Sequence, residues 1–182
     1  MPEADLINSL FKQDNLIPVV THYERKKVRL EEEGEPDSFV DIFNLPDDTI
    51  VIDLDKNFAN DLLVSGEKGS CKRADFMLIS AEAECVVFIE MKRRNPTTRG
   101  DINNQLRGSF CVFKYCSILM EQFFQDNFLS SYKTRFVIFR HTHINKRPTR
   151  ESSGTVNDTP ESASVIAGQK TVQFNQIARL NA

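Results

Sequence analysis

The chain lacks most of the features that assign a class at sight. In its 182 residues no apolar run approaches the length of a membrane span. The opening stretch MPEADLINSLFKQDN has no secretory-signal pattern. The glycine-bearing stretch SGEKGS is not a GxxxxGK[ST] phosphate loop, so nucleotide binding there has no support. Cys71, Cys85, Cys111 and Cys116 form no CxxC pair, which argues against both a disulfide frame and a thiolate zinc site. No internal repeat, heptad or low-complexity tract is present. What remains is a hydrophobic fraction of 40%, enough for a core, in a chain of one-domain length. We therefore expect a single cytoplasmic domain over 1–182, with reduced thiols and no membrane contact.

Charge divides the chain. The first 70 residues carry 16 acidic and 7 basic side chains, and the remaining residues carry 10 and 16. A basic half is compatible with a phosphate backbone as ligand, although surface charge also varies by segment for no functional reason.

The stretch that organises the sequence is KRADFMLISAEAECVVFIEMKRR, from Lys72 to Arg94. Ala74 to Ile79 is apolar apart from Asp75, Cys85 to Ile89 is an unbroken apolar run, and a polar turn lies between them. That is the pattern of a hairpin with a buried second strand. Three groups in it are foreign to a buried strand: Asp75, Glu90 and Lys92. Strand alternation sends Glu90 and Lys92 to one face and Met91 to the other. Asp75 comes from the neighbouring strand, so two carboxylates meet beside an ammonium, an arrangement suited to a hard cation such as Mg²⁺.

Asp75 followed fifteen positions later by Glu90-Met91-Lys92 resembles the PD-(D/E)xK nuclease superfamily, which includes many restriction endonucleases, junction resolvases and repair nucleases. The position before Asp75 is Ala74, where the family's name has Pro. By the order of elements the resemblance covers Lys72 to Arg140. It implies an α/β fold with a restriction-endonuclease-like core, a central mixed β-sheet flanked by helices. It also implies a Mg²⁺- or Mn²⁺-dependent endonuclease hydrolysing phosphodiester bonds of DNA. Asp75, Glu90 and the Met91 carbonyl would hold the metal, and Lys92 would act on the attacking water or the phosphorane charge. Gln105, on a following helix, would help position that water, although a helix-surface Gln with no role fits the sequence as well. Small domains of this type serve as antiviral or restriction effectors or as subunits of larger assemblies. The chain shows no separate recognition domain, so a homo-oligomer or a partner-protein complex is expected. The alternatives are a nuclease fold kept as a non-catalytic binding or assembly subunit, and a buried ion network of Asp75, Glu90 and Lys92 without function.

Around this centre the readings are plainer. Pro2 to Lys12 has a helical apolar stripe, and Phe39–Leu45 and Thr49–Leu54 read as strands. The charge run ERKKVRLEEEGEPD reads as a solvated segment and turn. Glu3 and Glu24 are equal candidates for an extra acidic ligand on the first helix, and neither is preferred. Asp53 and Asp55 suit an exposed strand face better than a metal site. Asn57 to Val64 reads as a short helix. KRRNPTTRGD sets Arg93, Arg94 and Arg99 beside the carboxylates, as a phosphate clamp or as an ordinary solvated loop. Asp101 is the expected N-cap of a long helix, Ile102 to Phe124. The catalytic core, 71–140, closes with a strand at Thr134–Arg140. Arg140, Lys146 and Arg147 then form a basic rim that includes His141 and His143. Residues 147–168 read as a mobile loop, and 170–180 as a terminal strand or helix.

Overall fold

A computed structural model describes residues 2–32, 34–35, 37–56, 65–92, 98–140 and 156–179. The architecture is mixed α/β, with two mixed sheets and three α-helices among the described residues. Helix α1 (Glu3–Leu10) opens the chain with Glu3 and Asp5 in its first turn, where acids complement the helix dipole. Strands β1 (Val20–His22), β2 (Arg25–Glu31) and β3 (Phe39–Leu45) follow as an antiparallel meander.

Strand β2 lies inside the charge run that reads as a solvated segment, and the difference has a simple cause. Its charged residues alternate with apolar ones, so Arg29 is exposed while Val28 and Leu30 are wholly buried. Arg29 donates to both oxygens of Asp41 across the sheet, at 2.8 and 2.9 Å, and Lys27 lies 3.3 Å from the same carboxylate. A period of two with partnered charges makes a strand; charge density alone had masked it.

Strands β4 (Ile50–Asp53), β5 (Phe76–Ser80) and β6 (Cys85–Lys92) form the antiparallel half of the larger sheet. Helix α2 (Arg99–Phe124) then crosses to β7 (Lys133–Arg140), which runs parallel to β6. Its N-cap is Thr98, whose Oγ1 accepts from the Asp101 amide, so the helix begins one turn earlier than the Asp101 cap implies. Ile102, Leu106, Phe113 and Met120 are buried, whereas Phe124, expected on the same stripe, is exposed.

Strand β8 (Ser164–Ala167) extends the sheet beyond β7, to the order β4-β5-β6-β7-β8. It falls within the 147–168 stretch expected to be a loop. Polar composition misled there: Asn157 is completely buried, and its amide donates to the carbonyls of Phe136 and Ile177 at 3.2 Å. A buried polar residue whose amide is paired in this way anchors the chain as an apolar one would. The final stretch is both of the expected forms in turn, β9 (Thr171–Gln173) and α3 (Phe174–Ala178), with β9 parallel to β3.

Alternation along β6 divides the core. Val86 and Phe88 face α2 and pack with Phe113 and Phe136, the Phe88–Phe136 rings being stacked 5.0 Å apart. Val87, Ile89 and Met91 face the smaller sheet and α3. Helices therefore flank one face of the larger sheet, and a second sheet shares the other, which differs from a sheet flanked by helices alone. Among the described residues no helix is long and apolar enough to cross a membrane.

Candidate active site

Register brings the carboxylates together. Phe76 pairs with Ile89, so the next position out sets Asp75 opposite Glu90. The Met91 amide donates to Asp75 Oδ2 at 2.5 Å, and the Asp75 carbonyl accepts from the Leu54 amide at 2.8 Å. In a strand a residue's N–H and C=O leave on the same edge, so the Met91 carbonyl also lies on the Asp75 side. The Met91 side chain is buried in the opposite core.

Glu90 is fully buried on the α2 face, and Lys92, two positions on, follows it to the mouth of that face. The Lys92 ammonium contacts Glu90 Oε1 as an ion pair. Among the described residues Lys92 is the partner of this carboxylate, and Glu90 Oε2 accepts no hydrogen bond from them. A buried carboxylate with one oxygen left without a donor is costly, and one ammonium at the other oxygen offsets only part of that cost.

Electrostatics reflect that deficit. Burial pushes the Asp75 carboxyl up to about 7, against the Met91 N–H and Lys92, which pull it down. Burial, followed by the Asp75 charge, pushes Glu90 up to about 8, again against Lys92. For Lys92, burial works against the ammonium, but Glu90 and Asp75 outweigh it and raise its pKa. The Glu90 carboxylate, the Asp75 carboxylate and the Met91 carbonyl form an all-oxygen donor set, which fits Mg²⁺ or Mn²⁺. Among the described residues no three His, Cys, Asp or Glu side chains gather as a ligand cluster. Waters and substrate oxygens would complete the shell, as is usual for Mg²⁺.

Two further acids act on this centre. Asp55 raises the pKa of both carboxyls, and Glu32, just beyond β2, raises that of Asp75 and Lys92. Glu32 was hidden in the charge run, and no sequence signal singled it out. Asp53 accepts from the amides of Asp55 and Lys56, each at 3.0 Å, and so shapes the turn that presents Asp55. Glu3 is engaged elsewhere, accepting from the Tyr132 hydroxyl at 2.8 Å, and Glu24 sits at positive φ in the β1–β2 turn.

Gln105 is on α2, on the side of the Asp75 segment, but its Nε2 donates to the Arg73 carbonyl at 3.3 Å rather than to a carboxylate. Arg99 donates to the carbonyls of Glu161 and Ala163, at 3.1 and 3.3 Å, which ties that backbone to α2. Burial, with the nearby Arg140 charge, lowers its pKa. Arg140 is exposed at the end of β7, in register with Lys92 on β6. Arg93, Arg94, Lys146, Arg147, His141, His143 and the helix expected at Asn57–Val64 lie outside the described residues.

No protein-family profile, curated protein or solved structure matches the chain.

Proposed function

We propose that this chain is a metal-dependent endonuclease with a restriction-endonuclease-like core, hydrolysing phosphodiester bonds of DNA. The observation that carries the reading is the fully buried Glu90 carboxylate, set opposite Asp75 and against the Lys92 ammonium. The topology supports it: α1, the antiparallel β4-β5-β6, α2 and the parallel β7 follow the helix, three strands, helix and strand of that superfamily, with β1–β3 inserted after α1.

When bound, Mg²⁺ or Mn²⁺ supplies Lewis acidity toward a phosphate oxygen and lowers the pKa of a bound water. Asp75 and Glu90 bind it, with Asp75 oriented by the Met91 N–H. Lys92 holds its proton, since its pKa is raised, and stabilises negative charge developing on the phosphate or aligns the attacking water. Arg140, exposed one strand away, steers the phosphate backbone toward the pair. In this reading Gln105 supports the Asp75 segment. The described chain holds no separate recognition domain, and we propose that a second copy or a partner protein supplies target choice in an antiviral or restriction role.

A non-catalytic assembly role is the second reading, favoured by the Lys92 ammonium lying against Glu90 as its ion-pair partner. Metal-dependent cleavage of DNA and RNA, with Glu90→Ala as control, separates the two. Cleavage by wild type that the variant loses supports the nuclease, and equal inactivity of both with Mn²⁺ present supports the assembly role.

A further inference from the structure

Asp75 is delivered by a segment without regular structure, Lys72 to Ala74, and that segment is keyed to one face of α2. Positions 101, 105, 108 and 109, spaced by four, seven and eight, share a helix face. Asp101 pairs with the Lys72 ammonium at 2.6 Å, and Gln105 donates to the Arg73 carbonyl. At Gly108 an added Cβ would stand 1.6 Å from the Lys72 carbonyl oxygen, so only glycine lets the helix and segment approach this closely. Ser109 is fully buried; its Oγ accepts from the Ala74 amide at 2.7 Å and donates to the Gln105 carbonyl at 3.2 Å.

We propose that Ser109 and Gly108 are positioning residues that set the Asp75 carboxylate against Glu90 for metal binding. The inference rests on the metal pair proposed above. The geometry leaves Asp75 three restraints: the Met91 amide on its carboxylate, the Leu54 amide on its carbonyl, and the Ser109 hydroxyl on the amide of the preceding residue. The first two come from neighbouring strands and define the plane of the sheet. The third comes from the helix above it and fixes how far the segment rises from the sheet. A ligand set works only within about 0.5 Å of its productive geometry, so loss of the third restraint lowers metal affinity in addition to the stability lost by leaving the buried Ala74 amide without a partner.

The test is Mn²⁺ titration by calorimetry on the full chain, with thermal unfolding and amide hydrogen exchange of the metal-free protein alongside. Ser109→Ala should fold, bind Mn²⁺ about tenfold more weakly, the usual scale for a group that orients a ligand, and exchange its Ala74 and Met91 amides faster. Ser109→Thr keeps the hydroxyl and should restore affinity and protection. Met120→Ala is the stability control: it is buried on the same helix about 16 Å along the axis at 1.5 Å per residue, and it should lower the melting temperature while leaving Mn²⁺ affinity unchanged. Wild-type affinity in Ser109→Ala, or an equal loss in Met120→Ala, overturns the proposal. Binding that Asp75→Asn abolishes and Ser109→Ala retains sinks the positioning alone. Wild-type protein that takes up no Mn²⁺ sinks the metal reading and this inference with it.

Discussion

Replacing Glu90 by Gln should stabilise the metal-free protein at alkaline pH while destroying the proposed metal site. The side chain is 0% exposed, and its carboxyl is pushed up to about 8 in the fold against an ordinary 4.5. A raised pKa means that the folded state holds the proton more tightly than the unfolded chain. The contribution to stability is therefore complete below pH 4.5 and is lost as the pH climbs through about 8. At about 1.4 kcal/mol per pH unit, the loss across that window has a ceiling of about 5 kcal/mol. Asp75 titrates with Glu90 as a pair, and Lys92 offsets part of the buried charge, so we expect about 2–3 kcal/mol at a pH of about 8.5. The neutral amide of Gln incurs none of this penalty. The assay is thermal unfolding in chelator from about pH 5 to about pH 8.5. The two proteins should melt together at the acid end and diverge by about 5–10 °C at the alkaline end, with the Glu90→Gln variant the more stable. Mn²⁺ should reverse the order, because only wild type gains binding energy from it. A difference that does not change with pH, or a wild type that grows more stable through this window, would refute the assignment of a carboxyl whose charge the fold disfavours.

Lys92→Met keeps the aliphatic stem, so folding should change by about 1 kcal/mol or less while single-turnover cleavage falls roughly 10²-fold; wild-type turnover in that variant would return the motif to a structural role. Asp75→Asn should abolish Mn²⁺ binding in calorimetry with its melting curve largely kept, and unchanged affinity would remove Asp75 from the ligand set. On the smaller sheet, the Arg29 hydrogen bonds hold the Asp41 carboxyl below its ordinary value of 3.8, so its stabilisation is present above that pH and fades below it. Asp41→Ala should cost about 1–3 kcal/mol at neutral pH by leaving Lys27 and Arg29 without their shared partner, and less at acid pH, a difference that chemical denaturation reads directly. If the nuclease works as a pair, sedimentation should show a dimer or a partner complex; a strict monomer that cuts both strands of duplex DNA in concert would count against it.

Much of the larger sheet was legible because its information is local. The unbroken apolar run of β6, the turn before it and the helical period of α2 each express a burial pattern within a few residues. Strand alternation alone placed Glu90 and Lys92 on one face with Met91 on the other, and the structure keeps that division. Strand β2 of the smaller sheet and β8 of the larger were not legible in the same way. Strand β2 depends on Asp41 to hold Arg29 and Lys27, and β8 and the buried Asn157 depend on backbone groups of β7 and α3. Partners distant in sequence leave no mark on the residues they neutralise.

The candidate site divides along the same line. Residue types and spacing determined that two carboxylates and a lysine would converge at a strand end, since register and alternation follow from the chain itself. Tertiary structure decided the rest: that Glu90 is fully buried against Lys92, that Asp55 acts on both carboxyls and Glu32 on Asp75, and that Gln105 and Arg99 direct their donors to backbone carbonyls. It also decided that α2 approaches close enough to exclude a Cβ at Gly108 and to place Ser109 on the Ala74 amide. A sequence specifies which groups are present and which way each local element turns them. Burial, desolvation and hydrogen-bond satisfaction depend on what packs over them, and that is set only when the helix closes on the sheet.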